Sequence, residues 1–176
     1  MFSAVTVFPF ATSDGTEITC TNTGISVTAT GGDSYSWSNS STNASQNFTS
    51  AATYTVTATT AANGCTGTES ITVTELTPTV TAEAGSAFTK TCVSNANGKA
   101  IGEANDTDYT YLWTGGLGTT SNPTANPAST TTYTVTKTHT ASGCTGTDDV
   151  IVTVNTTAPT AGIANNESGS STVITC

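Results

Sequence analysis

The sequence predicts an all-β fold that is built twice in tandem. Three observations carry this. Thr is the commonest residue, and a β-branched side chain sits well on a pleated surface. Val, Ile, Tyr and Trp recur inside the Thr-rich runs at a period of two, the spacing of one strand face. The third is a stretch that occurs twice. Thr53-Tyr54-Thr55-Val56-Thr57 leads to Gly64-Cys65-Thr66-Gly67-Thr68, and Thr132-Tyr133-Thr134-Val135-Thr136 leads to Gly143-Cys144-Thr145-Gly146-Thr147. Tyr to Cys is 11 residues in both copies, and the copies are offset by 79. A chain of 176 residues has room for one large or two small domains, and the repeat selects two. A disordered, glycosylated Ser/Thr stalk would share the composition, but it has no need of period-two apolar residues.

Residues 1–8 read as the last strand of a preceding repeat. They alternate and then meet Pro9, as Ser70–Thr74 does before Pro78 and Val150–Val154 before Pro159. Residues 9–76 form the first whole repeat. Ile25-Ser26-Val27-Thr28-Ala29-Thr30 is an alternating strand, and Gly31-Gly32-Asp33 is a turn. Tyr35-Ser36-Trp37 is the next strand, Asn39–Gln46 is a polar loop, and Phe48 belongs to a short strand. Tyr54–Ala58 and Ile71–Val73 pair across a hairpin signalled by Asn63-Gly64, two residue types that tolerate positive φ. Residues 77–155 repeat the plan, with Tyr109-Thr110-Tyr111-Leu112-Trp113 in place of Tyr35-Ser36-Trp37. The second copy is longer in two loops. Cys to Trp is 21 residues rather than 17, and Trp to Tyr is 20 rather than 17. Residues 156–176 read as the truncated start of a third repeat, because Ser171–Cys176 matches Gly15–Cys20. About seven short strands per unit, with a Trp on a middle strand, are the pattern of an immunoglobulin-like β-sandwich. The predicted core is Trp37, Tyr54, Val56, Trp113, Tyr133 and Val135. For the two tyrosines the alternative to core packing is a tyrosine corner.

Charge narrows the partners. The formal charge is −9 with three basic residues, all Lys, and charged residues are 9% of the chain. Phosphate contact needs Lys or Arg, so nucleic acid is not expected, nor is a polybasic membrane anchor. No apolar run reaches the length of a membrane span.

Five Cys fall at 20, 65, 92, 144 and 176, one early and one late in each whole repeat. The simplest pairing is Cys20 with Cys65 and Cys92 with Cys144, leaving Cys176 to a partner outside the chain. Disulfides imply an oxidising compartment, and each would stabilise by about 2–4 kcal/mol. Buried free thiols are the alternative.

No catalytic chemistry is expected. His139 stands alone, with Thr60 in its place in the first copy and no nucleophile or orienting acid marked. Glu103, Asp106 and Asp108 could offer oxygens to Ca²⁺, but no Asp-x-Asp-x-Asp-Gly loop is present, so they read as a solvated acidic loop. Gly115-Gly116-Leu117-Gly118 follows a strand without a helix after it and is no phosphate cradle. Cys spacings of tens of residues do not suit zinc. No cofactor and no metal are expected. A Lys–Asn cross-link of the kind found in surface sandwiches needs a core Lys, and the first repeat has no Lys. Asn39, Asn43, Asn47, Asn105, Asn155 and Asn166 head Asn-x-Ser/Thr triplets, which this composition produces by chance.

The succession Cys20…Ser26-Val27-Thr28-Ala29-Thr30-Gly31-Gly32…Tyr35-Ser36-Trp37-Ser38…Thr53-Tyr54-Thr55-Val56-Thr57…Asn63-Gly64-Cys65-Thr66 resembles the repeats of very large secreted surface proteins of Bacteroidetes. These include SprB-like gliding adhesins and related immunoglobulin-like or PKD-like modules. The likeness covers nearly the whole chain. Ala100-Ile101-Gly102-Glu103 departs from the clean alternating strand, and the Trp-Asp-Phe-Gly-Asp-Gly signature of PKD domains is absent. The resemblance implies export by a type IX system and display on the outer surface, attached through regions outside this segment. The expected function is that of a force-bearing stalk in surface attachment or gliding, with neighbouring repeats as its partners. The alternatives are a glycan- or protein-binding module and an accessory domain of a secreted enzyme. The binding module would use residues 99–108 and 115–128, with Tyr109 stacking on sugar.

Overall fold

A computed structural model describes the backbone of Ala11–Thr12 and the whole of residues 15–158. The strand expected over residues 1–8, most of segment 156–176, Asn166 and Cys176 lie outside these. Among the described residues every regular element is a strand. The chain divides into two compact units. The first runs to Thr79 and also takes in Ala141–Cys144; the second comprises Val80–Thr140 and the chain from Thr145 on.

The first unit holds β1 (Ala11–Thr12), β2 (Glu17–Thr19), β3 (Ile25–Thr28), β4 (Ser34–Trp37), β5 (Ser45–Phe48), β6 (Ala52–Thr59) and β7 (Thr66–Leu76). They form two sheets, in the orders β1-β3-β5 and β2-β7-β6-β4. All pairings are antiparallel except β2 with β7, where Glu17, Ile18 and Thr19 run parallel beside Thr74, Glu75 and Leu76. This is an immunoglobulin-like sandwich with a Trp on β4, in the sheet of the long hairpin.

Alternation explains both faces. Inward residues Ile18, Ile25, Val27, Ala29, Trp37, Phe48, Val56, Ile71 and Val73 form one buried cluster. Burying each large apolar side chain contributes about 1.5–3 kcal/mol. The outward positions are hydroxyls in register. Thr53, Thr55, Thr57 and Thr59 stand opposite Thr72, Ser70, Thr68 and Thr66. Thr53 and Thr72 share a hydrogen bond of 3.1 Å, and Thr55 and Ser70 one of 2.8 Å. The Thr-rich composition is thus the solvent face of a sheet, stabilised by cross-strand pairs of about 0.2–1 kcal/mol each.

Trp37 and Trp113 are nearly fully buried, and each indole N–H finds a loop carbonyl. Trp37 Nε1 donates to Asn43 O at 2.8 Å and Trp113 Nε1 to Thr120 O at 2.9 Å. Tyr54 and Tyr133 differ. Tyr133 is buried at 5% exposure. Tyr54 is half-buried, stacks on Phe48 with ring centroids 3.7 Å apart, and donates its hydroxyl to Ser50 O at 3.0 Å. A hydroxyl bonded to the backbone four residues upstream is a tyrosine corner, so the alternative reading applies in the first copy. Tyr54→Phe is expected to cost the first unit about 0.5–1.5 kcal/mol in a denaturant titration. No loss would mean the corner bond is exchanged freely with water.

The second unit holds β8 (Phe88–Lys90), β9 (Lys99–Ala100), β10 (Tyr109–Trp113), β11 (Thr124–Ala125), β12 (Thr131–His139) and β13 (Thr145–Val154). Its main sheet is β10-β12-β13-β8, with β8 parallel to β13, and β9 pairs with β11. The first unit has seven strands and the second six among the described residues. β9 and β11 stand where β3 and β5 stand in the first unit, Thr124 and Ala125 lying 79 residues after Ser45 and Gln46. Their core contribution is Ile101 and Ala125, packed with Ala82, Ala84, Tyr111, Trp113, Tyr133, Val135, Val150 and Val152. Gly102, at φ +85°, lies against the Trp113 ring and the Ser121 carbonyl, with no room for a Cβ.

Candidate functional site

Two features stand out: a disulfide at one hairpin tip, and a buried ion pair beneath the loop of the second unit. The disulfide pairs Cys20 with Cys144, with Cα atoms 5.0 Å apart and a sequence separation of 124. Cys65 carries a free thiol and is half-buried. Cys92 is disulfide-bonded. The expected Cys20–Cys65 and Cys92–Cys144 bridges are therefore corrected, and the reason is geometric.

Thr19 stands beside Leu76, so Cys20 lies at the far end of β7, while Cys65 directly precedes Thr66 at its start. An 11-residue strand separates them, roughly 35 Å at 3.3 Å per residue. In the second copy Lys90 stands beside Val154, so Cys92 follows the end of β13 and Cys144 precedes its start. A disulfide needs Cα atoms within about 7 Å. Neither bridge can form within its own repeat.

Cys20 sits in a tight turn. Thr19 N donates to Asn22 O at 2.8 Å, and Asn22 N donates to Thr19 Oγ1 at 3.0 Å. Its own N–H donates to Ser142 O at 3.1 Å. Thr21 lies over Gly143, whose φ of +69° only Gly adopts readily. Ser142 is fully buried and Cys144 is 3% exposed. The Asn63-Gly64 turn is also a hairpin tip, but only Gly64 is at positive φ, at 67°. Residues 60–65 make a longer loop, closed by Thr60 N donating to Cys65 O at 3.0 Å.

No sequence motif marks the ion pair between Lys137 and Glu103. Lys137 occupies an inward position on β12, where the first copy has Ala58. Its Nζ lies 2.7 Å from Glu103 Oε1, with the two side chains 11% and 22% exposed. It also lies 4.4 Å from the Tyr109 ring centroid and 5.9 Å from that of Tyr111. A cation over an aromatic face is worth about 0.5–2 kcal/mol, more as water is excluded. Burial pulls the ammonium down, but the hydrogen bond and charge of Glu103 outweigh it, and Lys137 titrates above its ordinary 10.5. Tyr111 titrates above its ordinary 10.0, through burial first and the Glu103 carboxylate second. Its hydroxyl is buried without a hydrogen bond of good geometry.

Both shifts have one sign. Between the ordinary and the raised value the unfolded chain has lost a proton that the folded chain retains, so raising the pH favours unfolding. The contribution is full below about pH 10 and fades as the pH climbs through the raised values. Urea midpoints of the second unit are expected to fall above pH 10, and less steeply in Tyr111→Phe. An equal slope in that variant would contradict the Tyr111 part.

Glu103, Ala104, Asn105, Asp106, Thr107 and Lys137 line a shallow cleft of about 520 Å³. Glu103 is committed to Lys137, which takes it out of the acidic ligand set with Asp106 and Asp108. Asp106 instead holds its own loop, its Oδ1 accepting from Asp108 N at 3.1 Å. Among the described residues no group of three or more His, Cys, Asp or Glu could hold a metal. Tyr109 is half-buried, with Lys137 over its ring and His139 at 5.3 Å between centroids. It is not the open platform that sugar stacking needs. His139 is half-buried beside it. The exposed apolar side chain nearby is Leu112, at 61%. Of the expected core set, Trp37, Val56, Trp113, Tyr133 and Val135 are at most 5% exposed. The Gly115–Gly118 segment is a turn, bridged by Trp113 and Gly118.

No family model matches the chain, and no curated protein matches it. Among solved structures it is similar to a chimeric titin Z1Z2-Z1Z2 tandem functionalised with a GRGDS peptide from fibronectin. The identity is 11%, over 84% of this chain and 100% of that one, with a TM-score of 0.29. Similarity at that level leaves the fold to rest on the strand order and cores described above.

Proposed function

We propose that this chain is a structural part of an extracellular surface adhesin or filament, a stalk that displays a binding region and bears force in attachment or gliding. The observation that carries the reading is the Cys20–Cys144 bridge. Load applied outside the two cysteines travels through one covalent bond, and the 124-residue separation between them is shielded from extension. Two small sandwiches with hydroxyl-covered faces and a charge of −9 suit neighbouring surface chains that repel one another. A structural disulfide suits an oxidising compartment, and the resemblance to Bacteroidetes surface repeats makes type IX export the expected route. We assign it no catalytic role and no cofactor. Neighbouring repeats are its first partners, without nucleic acid or membrane insertion by this segment. Antibody labelling of intact cells tests this: the chain should be reached from outside without permeabilisation. Labelling that needs permeabilised cells would overturn it.

A second reading has one observation in its favour, the cleft over Glu103–Thr107 in the longer copy. As a recognition loop it would hold a surface polysaccharide or protein through Asn105, Asp106 and Thr107. Binding on a glycan array that survives replacement of residues 103–107 by a Gly/Ser loop would exclude it.

A further inference from the structure

We propose that the Asn63-Gly64-Cys65 tip is a receiving site for the early-cysteine turn of another repeat of this kind, and that Cys65 closes a disulfide with it. Cys65 has no cysteine of its own repeat within reach, since Cys20 lies a strand length away. The same tip in the second copy is occupied. There Cys144 is bonded to Cys20, Ser142 O accepts from Cys20 N, and Thr21 covers Gly143.

The two tips are built alike. Gly64 and Gly143 have φ of 67° and 69°. Cys65 N donates to Asn63 Oδ1 at 3.1 Å, and Cys144 N to Ser142 Oγ at 3.3 Å. The hairpins close in the same register, Thr59 with Thr66 and Thr138 with Thr145. They differ in cover. A Cβ on Gly64 would meet nothing within 4 Å, and Asn63 is exposed where Ser142 is fully buried.

The incoming element is standardised too. Thr91-Cys92-Val93-Ser94 forms the Cys20 turn again, with Thr91 N donating to Ser94 O at 2.8 Å and Ser94 N to Thr91 Oγ1 at 2.8 Å. Two early cysteines thus sit on one kind of turn and two late cysteines on one kind of tip. Among the described residues, the tip at Cys65 is the one with a free thiol and nothing over its glycine.

The chemistry is thiol–disulfide exchange. The Cys65 thiolate attacks the early-cysteine sulfur of a mixed disulfide. That S–S bond breaks, the small thiolate leaves with the electron pair, and the new bridge forms with no further oxidant. The ligand is a Thr-Cys-x-x turn whose cysteine N–H meets the Asn63 carbonyl, as Cys20 meets Ser142.

The test uses the full chain and a synthetic peptide of residues 15–24, its cysteine carried as the mixed disulfide with 5-thio-2-nitrobenzoate. Release of the coloured thiolate is followed, and the adduct is located by mass spectrometry. Expected is an adduct on Cys65, formed at least tenfold faster than with a scrambled peptide carrying cysteine at the same position. Cys65→Ser should abolish it. Equal rates for the two peptides, no adduct on Cys65, or an adduct elsewhere would each overturn the proposal.

Discussion

Cys20→Ser is expected to lower the chain's stability by about 5 kcal/mol, the largest effect of any single substitution considered. In the chain-entropy view a bridge restricts the unfolded ensemble in proportion to the logarithm of the loop it closes. A separation of 124 residues lies beyond the 100-residue loop, for which the effect is about 4.7 kcal/mol. Cys144→Ser should cost the same, and the double variant no more than either alone, because both remove one bond. Trp37 and Trp113, one in each core, report unfolding by fluorescence. Additive losses would mean that the two cysteines stabilise separately through packing. The same measurement on Cys65→Ser should show little change, since that thiol is free.

Lys137→Met should destabilise the second unit by about 3 kcal/mol. The methionine fills the volume beside Tyr109 and Tyr111, so the loss comes from Glu103, left as an uncompensated carboxylate among aromatic rings. Breaking a buried pair from one side costs about 3–5 kcal/mol, and the 22% exposure of Glu103 places this pair at the low end. The double variant Lys137→Met with Glu103→Gln should recover most of the loss, because an ion pair and a well-packed neutral pair are close in free energy. A double variant as unstable as the single would show that the lysine acts by shape. Urea unfolding at pH 7 distinguishes the outcomes.

These two features are also where the sequence was hardest to read. The alternation of Ile25, Val27, Val56, Ile71 and Val73 is local, and strand faces follow from it directly. The repeat placed both long hairpins for the same reason. Cysteine pairing depends instead on the parallel register of β2 on β7 and of β8 on β13, a long-range property that no local pattern encodes. One early and one late cysteine in each copy made pairing within a repeat look simplest, yet it places the cysteines at opposite ends of one strand. Lys137 was missed because a charge on an apolar-period position reads as an outward residue. A signal was present in the comparison of copies. The first has Ala58 where the second has Lys137, and Glu103 lies in an insertion that the second alone possesses. A charge gained at an inward position together with an opposite charge gained in a new loop is the mark of a buried pair. Tyr109 looked exposed at a strand start, and only the placement of Lys137 over its ring removed it from the list of sugar platforms.

We propose that load crosses this chain through the Cys20–Cys144 bond. Single-molecule extension, with handles attached on either side of these cysteines and reductant present or absent, tests it most directly. With the bond intact, residues between the cysteines should contribute nothing to the length gained on unfolding. Reduction should release them, adding about 400 Å of contour at 3.3–3.6 Å per residue over the separation of 124. An unfolding extension that is the same with and without reductant would contradict the account.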